Sequence, residues 1–201
     1  MENSKSKFET KDFILIGILS SVFFAIYMAL GVITAMAGPV IHVFTPAIGG
    51  VICGTIYLLL ISKCPKIGIF TISSLVTMVL FQLIGSTYLP WVIAVMMASV
   101  LADIICIPTK YKNFKMISIS YGIIMVGHVL GNIFPILFFV DKFRDTFLSK
   151  GADISFLDKM INFLQGPISF VIILIVFISG LVGMLLAKKL LNKHFRKAGI
   201  A

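Results

Sequence analysis

Two polar side chains that are able to do chemistry stand four residues apart within a long apolar stretch of this chain. They are His128 and Asn132, and a spacing of four places both on one face of a helix. An imidazole and an amide both donate and accept hydrogen bonds, and such groups are rarely buried without a partner. The pair therefore predicts a binding site that other polar groups or a ligand complete.

Further polar and aromatic residues fall near the same end of the predicted helices. They are His42, Gln82, Thr87, Tyr88, Trp91 and Gln165. A small-molecule site is typically an apolar and aromatic cavity in which a few polar groups fix the orientation of the ligand. Membrane-surface aromatics are the alternative interpretation for Tyr88 and Trp91, and a solvated loop residue is the alternative for His42. We predict that these six residues and the helical pair form one substrate-binding site.

No motif in the chain indicates catalysis. The sequence contains no H-E-x-x-H, no G-x-S-x-G, no P-loop and no cluster of carboxylates. We therefore expect no catalytic residues, no enzyme activity, no metal site and no cofactor. Asp103 is the one carboxylate within an apolar segment. It is either a group that couples transport to protons or sodium or a partner of Lys110, Lys112 or a neighbouring helix end.

The composition indicates the solvent in which this chain folds. Of its 201 residues, 59% are hydrophobic and 12% are charged, whereas soluble domains carry about 25% charged residues. The net charge of +9 comes from Lys and Arg at the ends of apolar runs, not from one basic face. We therefore expect a partner in the lipid bilayer and none in nucleic acid.

The apolar runs predict the fold. Crossing about 30 Å of hydrocarbon takes a helix of about 20 apolar residues, and in lipid the backbone must satisfy its own polar groups. The predicted fold is an all-α integral membrane protein, a six-transmembrane-helix bundle that forms a single domain over residues 1–201. The helices lie near 13–34, 45–62, 67–85, 90–107, 116–139 and 167–190.

The longest connection covers residues 141–166. Within it Ile154, Leu157, Ile161 and Leu164 follow a spacing of three and four, which is typical of an amphipathic helix on a membrane surface. A plain loop is the alternative. Whether the segment acts as a lid stays open at this point.

The basic residues predict the orientation of the bundle. Of the 17 Lys and Arg residues, 13 lie at one set of helix ends and 4 at the other, where four Asp residues balance them. Cytoplasmic ends of membrane helices carry the excess of Lys and Arg. The N and C termini are therefore predicted to be cytoplasmic, and the candidate site lies on the outer side.

Small residues recur at every fourth position of the first helix. They are Gly17, Ser21, Ala25 and Ala29. Because lipid is as apolar as the helices, association in a membrane depends on close packing, which small residues permit. The stripe is either a docking face for a partner subunit or a packing face within the bundle. Similar stripes occur at Ala94, Ala98 and Ala102 and at Gly127 and Gly131.

Nearly the whole chain resembles the Trep_Strep family, also called MptD-type. The segments that carry the resemblance are Lys11-Asp12-Phe13-Ile14, Ile16-Gly17-Ile18, Lys66-Ile67-Gly68, Tyr88-Leu89-Pro90, Leu101-Ala102-Asp103 and the basic tail from Lys193 to Ile200. The family is one of substrate-binding S components of energy-coupling factor (ECF) transporters, a class of ABC importer. Where relatives carry Gly-His-Gly, this chain has Gly85-Ser86-Thr87, so it lacks one histidine of the outer site.

The resemblance implies a function and a set of partners. A bacterial S component captures a small micronutrient at the outer face of the cell membrane and delivers it inward with a membrane-embedded coupling subunit and two cytoplasmic ATPases. The resemblance also favours the stripe at Gly17, Ser21, Ala25 and Ala29 as the face that docks on the coupling subunit. The chain has no P-loop of its own, as expected where partners hydrolyse ATP.

The substrate and two competing functions remain open from sequence alone. A vitamin-like compound, a modified base and haem are the substrate hypotheses, and with haem His128 or His42 is the candidate axial ligand. The first competing function is a stand-alone ion-coupled carrier that uses Asp103. The second is a membrane enzyme or scaffold, which the missing catalytic motifs disfavour.

Overall fold

The computed structural model describes residues 7–85 and 88–197, with the backbone alone for residues 194–197. These residues form helices joined by short turns and no strand. The helices are α1 Thr10–Ala37, α2 Pro39–Val43, α3 Thr45–Lys63, α4 Ile69–Leu83, α5 Leu89–Cys106, α6 Phe114–Phe138, α7 Val140–Leu148, α8 Ile154–Leu164 and α9 Ile168–Lys197, with a 3-10 turn at Ile107–Thr109 after α5. The all-α prediction is confirmed for this part of the chain.

Five of these helices are long and apolar enough to cross a membrane, namely α1, α3, α5, α6 and α9. The sixth predicted segment, 67–85, corresponds to α4, which is apolar but has 15 residues. At a rise of 1.5 Å per residue such a helix is about 22 Å long, short of the roughly 30 Å hydrocarbon core. The protein is an integral membrane bundle with five candidate spans and one shorter apolar helix.

Side-chain caps and special residues set where several helices begin and end. Glu9 and Asp12 form a reciprocal capping box at the start of α1, which satisfies backbone donors that a helix leaves unpaired. Asn113 accepts hydrogen bonds from two backbone amides at the start of α6, and Asp153 accepts one at the start of α8. Gly38 ends α1 at a φ of 123°, a conformation that a residue without Cβ adopts readily.

Helices α3, α6 and α9 form the centre of the bundle, and glycines bring their backbones together. A Cβ added to Gly54 would lie 2.6 Å from the carbonyl carbon of Gly183, and one added to Gly183 would overlap the carbonyl oxygen of Gly50. Between α6 and α9, a Cβ on Gly180 would lie 2.8 Å from the Cα of Gly122. Close approach of this kind supplies the packing that holds helices together in lipid.

The small-residue stripes of α5 and α6 pack against each other. A Cβ on Gly127 would lie 2.6 Å from the Cβ of Ala98, and one on Gly131 would overlap the backbone of Trp91. These two stripes are therefore internal contacts. The contact also fixes where Trp91 stands relative to α6.

The connection 141–166 is mostly helical. It contains α7 and α8, and the predicted amphipathic helix corresponds to α8, so the plain-loop alternative is wrong. Leu157, Ile161 and Leu164 are buried as the spacing predicts, whereas Ile154 is 56% exposed because it occupies the first position of the helix. Both helices lie at the end of the bundle where α1 ends and α5 begins, which we call the cavity end.

Candidate functional site

A cavity of about 590 Å³ lies at the cavity end of the bundle. Ligand-binding cavities typically have volumes of 300–1,000 Å³. One wall comes from α1 and α2, with Tyr27, Met28, Gly31, Val32, Ala35, His42 and Val43. The starts of α3 and α5, the end of α4 and the C-terminal half of α6 add Thr45, Pro46, Phe81, Gly85, Tyr88, Trp91, His128, Val129 and Asn132. The α7–α8 segment closes the remaining side with Phe147, Lys150, Gly151, Ala152, Phe156, Leu157, Met160 and Leu164.

The structure brings five of the eight predicted site residues to the wall of this cavity. These five are His42, Tyr88, Trp91, His128 and Asn132. Gln82 and Gln165 are exposed and lie outside the wall. Gln82 follows the buried lining residue Phe81, and one step along a helix turns a side chain by about 100°. Thr87 lies outside the described residues.

His128 is the most deeply buried polar residue of the cavity wall, with 1% of its surface exposed. Its ring lies 4.8 Å from that of Tyr27 and 5.5 Å from that of Trp91, measured between centroids. Within the described part of the chain, no donor or acceptor pairs with its Nδ1. A buried polar atom without a partner costs about 1–3 kcal/mol, and a hydrogen-bonding group inside the cavity would remove this cost.

Trp91 is held rigidly beside His128. Its indole nitrogen donates a hydrogen bond of 3.1 Å to the backbone oxygen of His128, and Gly131 of α6 packs directly on its backbone. Its ring makes an edge contact with Phe81 at 5.0 Å between centroids. Because the polar atom of the indole is already satisfied, Trp91 contributes an apolar ring to the cavity wall.

His42 joins the short helix α2 to the ends of α1 and α3. Its Nδ1 lies 3.2 Å from the hydroxyl of Thr34 and 3.5 Å from that of Thr45, and the two hydroxyls are hydrogen-bonded to each other at 2.6 Å. Its ring makes an edge contact with Phe156 of α8. Burial lowers the pKa of His42 below its ordinary value of 6.5, because a charged imidazolium is poorly solvated there. His42 is therefore neutral at pH 7 and stabilises a corner of the fold.

The α7–α8 segment covers the cavity with aromatic and aliphatic side chains. Phe143 is fully buried against Tyr88, with ring centroids 5.7 Å apart, and Phe147 lies 5.2 Å from the same tyrosine. Arg144 and Asp158 pair at 2.6 Å and join α7 to α8. Burial also raises the pKa of Tyr88, so its hydroxyl is neutral and able to donate a hydrogen bond at pH 7.

Several lining residues were not predicted from sequence. Tyr27 and Phe81 form the deep aromatic wall, and Phe156 and Met160 of α8 face the cavity. The last two stand four residues apart and extend the apolar side of the amphipathic pattern, so that signal was available. Tyr27 carried no such signal, because the apolar residues of α1 surround the helix on every side.

Asp103 lies at the opposite end of the bundle, where its carboxylate caps a helix. It accepts hydrogen bonds from the backbone amides of Phe70 and Thr71, at 3.2 and 2.9 Å, and from the hydroxyls of Thr71 and Tyr111, at 2.6 and 2.7 Å. The amides belong to the first turn of α4, where a negative charge is stabilised by unpaired N–H groups. Of the partners considered from sequence, the neighbouring helix end is the one observed.

The small-residue stripe of α1 faces away from the bundle. Ser21, Ala25 and Ala29 are exposed, and a Cβ added to Gly17 would meet no atom within 4 Å. The hydroxyl of Ser21 donates to the backbone oxygen of Gly17 at 2.8 Å, so the stripe presents no unsatisfied polar group. The alternative that this stripe packs within the bundle is therefore wrong.

Metal ligation has no support in the part of the chain that the structure describes. Residues 7–85 and 88–193 contain no group of three or more His, Cys, Asp or Glu side chains close enough together to hold a metal ion.

A family model described as "Hypothetical bacterial integral membrane protein (Trep_Strep)" matches residues 10–197 of the chain. The matched region runs from the first residue of α1 to the last residue of α9, so it includes every element that lines the cavity. No curated protein and no solved structure matches the chain.

Proposed function

We propose that this chain, which belongs to the Trep_Strep family of bacterial integral membrane proteins, is the substrate-binding S component of an ECF-type importer. In this role it captures a small micronutrient from outside the cell membrane and carries it inward. A coupling subunit and two cytoplasmic ATPases supply the energy. The observation that carries the proposal is the cavity of about 590 Å³, with its aromatic wall and the unpartnered, buried Nδ1 of His128.

The proposed orientation puts the cavity on the outer side. The ends of α1, α4 and α6 near the cavity carry few basic residues, whereas 13 of the 17 Lys and Arg residues lie toward the opposite end or in the terminal segments. Both termini then lie in the cytoplasm. In this arrangement α4 also crosses the membrane and, with the five longer helices, completes the set of six transmembrane helices. Its short length is compatible with that role, because Asp103 caps its first turn within the bundle and local thinning accommodates a short span.

Contact with a partner subunit explains why the stripe of small residues on α1 is exposed. Gly17, Ser21, Ala25 and Ala29 form a shallow, nonpolar track to which another helix can pack closely. An S component needs such a face because it holds no nucleotide-binding motif and depends on others for energy. We therefore propose this stripe as the docking face for the coupling subunit.

The ion-coupled carrier is the weaker proposal. A coupling carboxylate must release and rebind a proton or cation during each cycle, but the carboxylate of Asp103 is occupied by four donors at the first turn of α4. Asp103 also lies outside the cavity wall. Both features support a structural role for this residue.

Substitution of Ala25 by phenylalanine tests the docking proposal. The bulky ring prevents close helix contact, so we expect the tagged variant to capture little coupling subunit and ATPase when all four proteins are expressed together. The control is Val79→Phe, because Val79 is an exposed position on α4 outside the stripe. Equal capture of the partners by wild type and Ala25→Phe contradicts the proposal.

A further inference from the structure

We infer that the cavity takes an uncharged aromatic ring compound with a lactam edge, an N–H beside a carbonyl, and that this edge pairs with Asn132 and His128 of α6. This inference rests on the proposed function, because it names the class of molecule that the S component binds.

Some polar side chains of the cavity wall already use their hydrogen-bonding capacity within the chain. The indole of Trp91 donates to the backbone oxygen of His128. His42 and Thr45 lie within hydrogen-bonding distance of each other and of Thr34. These contacts hold the wall in place, so they are poor candidates for pairing with a guest.

His128 and Asn132 differ from that group. They line the cavity one turn apart on the same face of α6. Only 1% of His128 is exposed, and its Nδ1 has no partner among the described residues. Asn132 is half-buried, and no described residue forms a hydrogen bond with its amide. A guest that lies along this face of α6 therefore meets two polar groups that the described chain leaves unpaired.

The chemistry of these two side chains determines the edge of the guest. A carboxamide places a donor and an acceptor side by side, and it forms two hydrogen bonds with an edge that has an acceptor next to a donor, as Asn does with adenine in DNA. With its proton on Nδ1, the imidazole of His128 adds a second donor. A carbonyl oxygen has two lone pairs and accepts from both side chains, whereas a ring nitrogen has one. A lactam therefore satisfies both residues.

The charges of the wall favour an uncharged guest. An unpaired charge buried among aromatic rings is strongly unfavourable, so the imidazole of His128 is neutral. The described lining residues include no Asp or Glu. Lys150 does line the cavity, but it already has an interaction partner in the chain. An ionised guest thus finds no spare counter-charge, and burial of an ion without one is costly.

The aromatic side chains of the wall favour an aromatic body for the guest. Phe81 makes edge contacts with both Trp91 and Tyr27, at 5.0 and 6.2 Å between ring centroids. A contact between two aromatic rings adds about two- to tenfold in affinity beyond the surface that it buries. A saturated ring system of similar outline lacks this gain. The aromatic residues that line the cavity besides His128 are Tyr27, Phe81, Tyr88, Trp91, Phe147 and Phe156.

Five probe compounds separate the components of this inference. Quinolin-2(1H)-one is an uncharged aromatic bicycle with a lactam edge, and 1-methylquinolin-2-one lacks only the donor. Octahydroquinolin-2(1H)-one keeps the lactam on saturated rings. 2-Naphthoate and 2-naphthylmethylammonium carry a negative and a positive charge on aromatic bicycles. Each is titrated by calorimetry into the purified full chain in lipid nanodiscs, and empty nanodiscs correct for partition into lipid.

We expect quinolin-2-one to bind and its 1-methyl analogue to bind at least about fivefold more weakly, because the analogue has no donor for Asn132. The saturated lactam is expected to bind about threefold or more weakly, and both ions at least about tenfold more weakly. Four outcomes overturn the inference: no binding of quinolin-2-one up to its solubility limit, equal binding of the 1-methyl analogue, or binding of the saturated lactam or of either ion as tight as that of quinolin-2-one.

Two variants assign the contacts. Asn132→Leu is expected to abolish the preference for quinolin-2-one over its 1-methyl analogue, because that preference depends on the amide oxygen. His128→Phe is expected to weaken both compounds by a similar factor, about threefold or more, since both carry the carbonyl. Unchanged affinities in His128→Phe overturn the assignment of that residue.

Gln82→Leu is the matched control for Asn132→Leu. It also removes a carboxamide, but Gln82 is exposed on α4 and lies outside the cavity wall. We expect it to leave the preference intact. Equal effects of the two leucine substitutions overturn the assignment of Asn132, and that test stands even where His128→Phe does not fold.

Haemin provides a further outcome. A Soret shift that disappears in His128→Phe would make this histidine a metal ligand and would overturn the hydrogen-bond assignment. Failure of this inference is distinguishable from failure of the proposed function. A chain that captures its partners but prefers a charged probe refutes only the ligand class, whereas one that binds quinolin-2-one but captures no partner refutes only the importer.

Discussion

Buried polar side chains differ in whether the described residues provide their hydrogen-bond partners. Ser20 pairs with Ser73 at 2.9 Å, and Ser99 donates to Ser74 at 2.6 Å, so these hydroxyls hold neighbouring helices together. Asp103 is likewise saturated by four donors, whereas Nδ1 of His128 is not paired by any described residue. Since unpaired buried groups are costly, the contrast separates structural polar residues from the one that we propose as a ligand contact.

Replacement of Asp103 by asparagine tests its structural role. The amide has one acceptor oxygen and no charge, so we expect a loss of about 1–3 kcal/mol in the free energy of unfolding. Affinity for a cavity ligand is expected to stay unchanged. Thermal unfolding in detergent and calorimetry measure these two quantities.

The control for Asp103 is Asp158→Asn, which breaks a pair that is about 40% exposed. Exposed pairs contribute about 0–1 kcal/mol, so a smaller effect is expected. A variant Asp103→Asn of unchanged stability that loses ion-dependent uptake contradicts our assignment and supports the carrier.

His42 predicts a dependence of stability on pH. Its pKa is lowered in the folded state by burial, so the unfolded chain binds more protons in acid. Stability from this residue is therefore fully present above the unfolded pKa of about 6.5 and is lost as the pH falls below it. We expect the melting temperature of wild type to fall between pH 7.5 and pH 5 by more than that of His42→Gln. Identical falls in the two proteins exclude a contribution from His42.

At the scale of helices, glycine contacts decide which pairs come closest. Gly54 and Gly183 bring α3 against α9, and Gly127 brings α6 against α5. These positions have no space for a Cβ, whereas Gly17 on α1 has open space around it. Glycine therefore permits close helix packing at Gly54, Gly127 and Gly183, whereas at Gly17 it leaves an open surface.

Alanine substitution at Gly183 and Gly17 is expected to change stability in opposite directions. At Gly183 the new methyl group overlaps the backbone of Gly50, and overpacking costs about 1–3 kcal/mol. At Gly17 no atom is close, and alanine favours the helix by up to about 1 kcal/mol. The melting temperatures of the two variants in detergent measure the difference. A rise in both would show that α3 and α9 are not packed as described.

Much of the helical layout was predictable from sequence because apolar length and turn residues determine it. The cavity was predictable only in part. His128, Asn132, Trp91, Tyr88 and His42 were identified because a polar or amphipathic residue in an apolar run stands out. Gln82 and Gln165 were placed by their position along the chain, but the direction in which a side chain points depends on how the helices and turns pack in three dimensions.

The exposure of the α1 stripe on the surface of the bundle could not be predicted from the sequence either. Three stripes of small residues look alike along the chain, on α1, α5 and α6. Two of them pack on each other and the third is exposed. Small residues permit close approach without specifying the partner, so only the three-dimensional arrangement distinguishes them.

At the scale of the whole molecule, the two proposed functional surfaces share helix α1. Gly31 lines the cavity, and Gly17 belongs to the proposed docking stripe about four turns away. An added Cβ meets no atom within 4 Å at either position. A leucine side chain therefore begins in open space at either site, and we expect it to add bulk to one surface only, which provides a matched pair of variants.

The most direct test of the account is to identify small molecules released from the purified chain and its two leucine variants by mass spectrometry, alongside capture of the partner subunits. We predict that Gly31→Leu loses the molecule that wild type carries but still captures the coupling subunit. Gly17→Leu is predicted to keep the molecule and lose the coupling subunit. If Gly31→Leu retains the same bound molecule at wild-type occupancy, the cavity is not the substrate site and the account is contradicted.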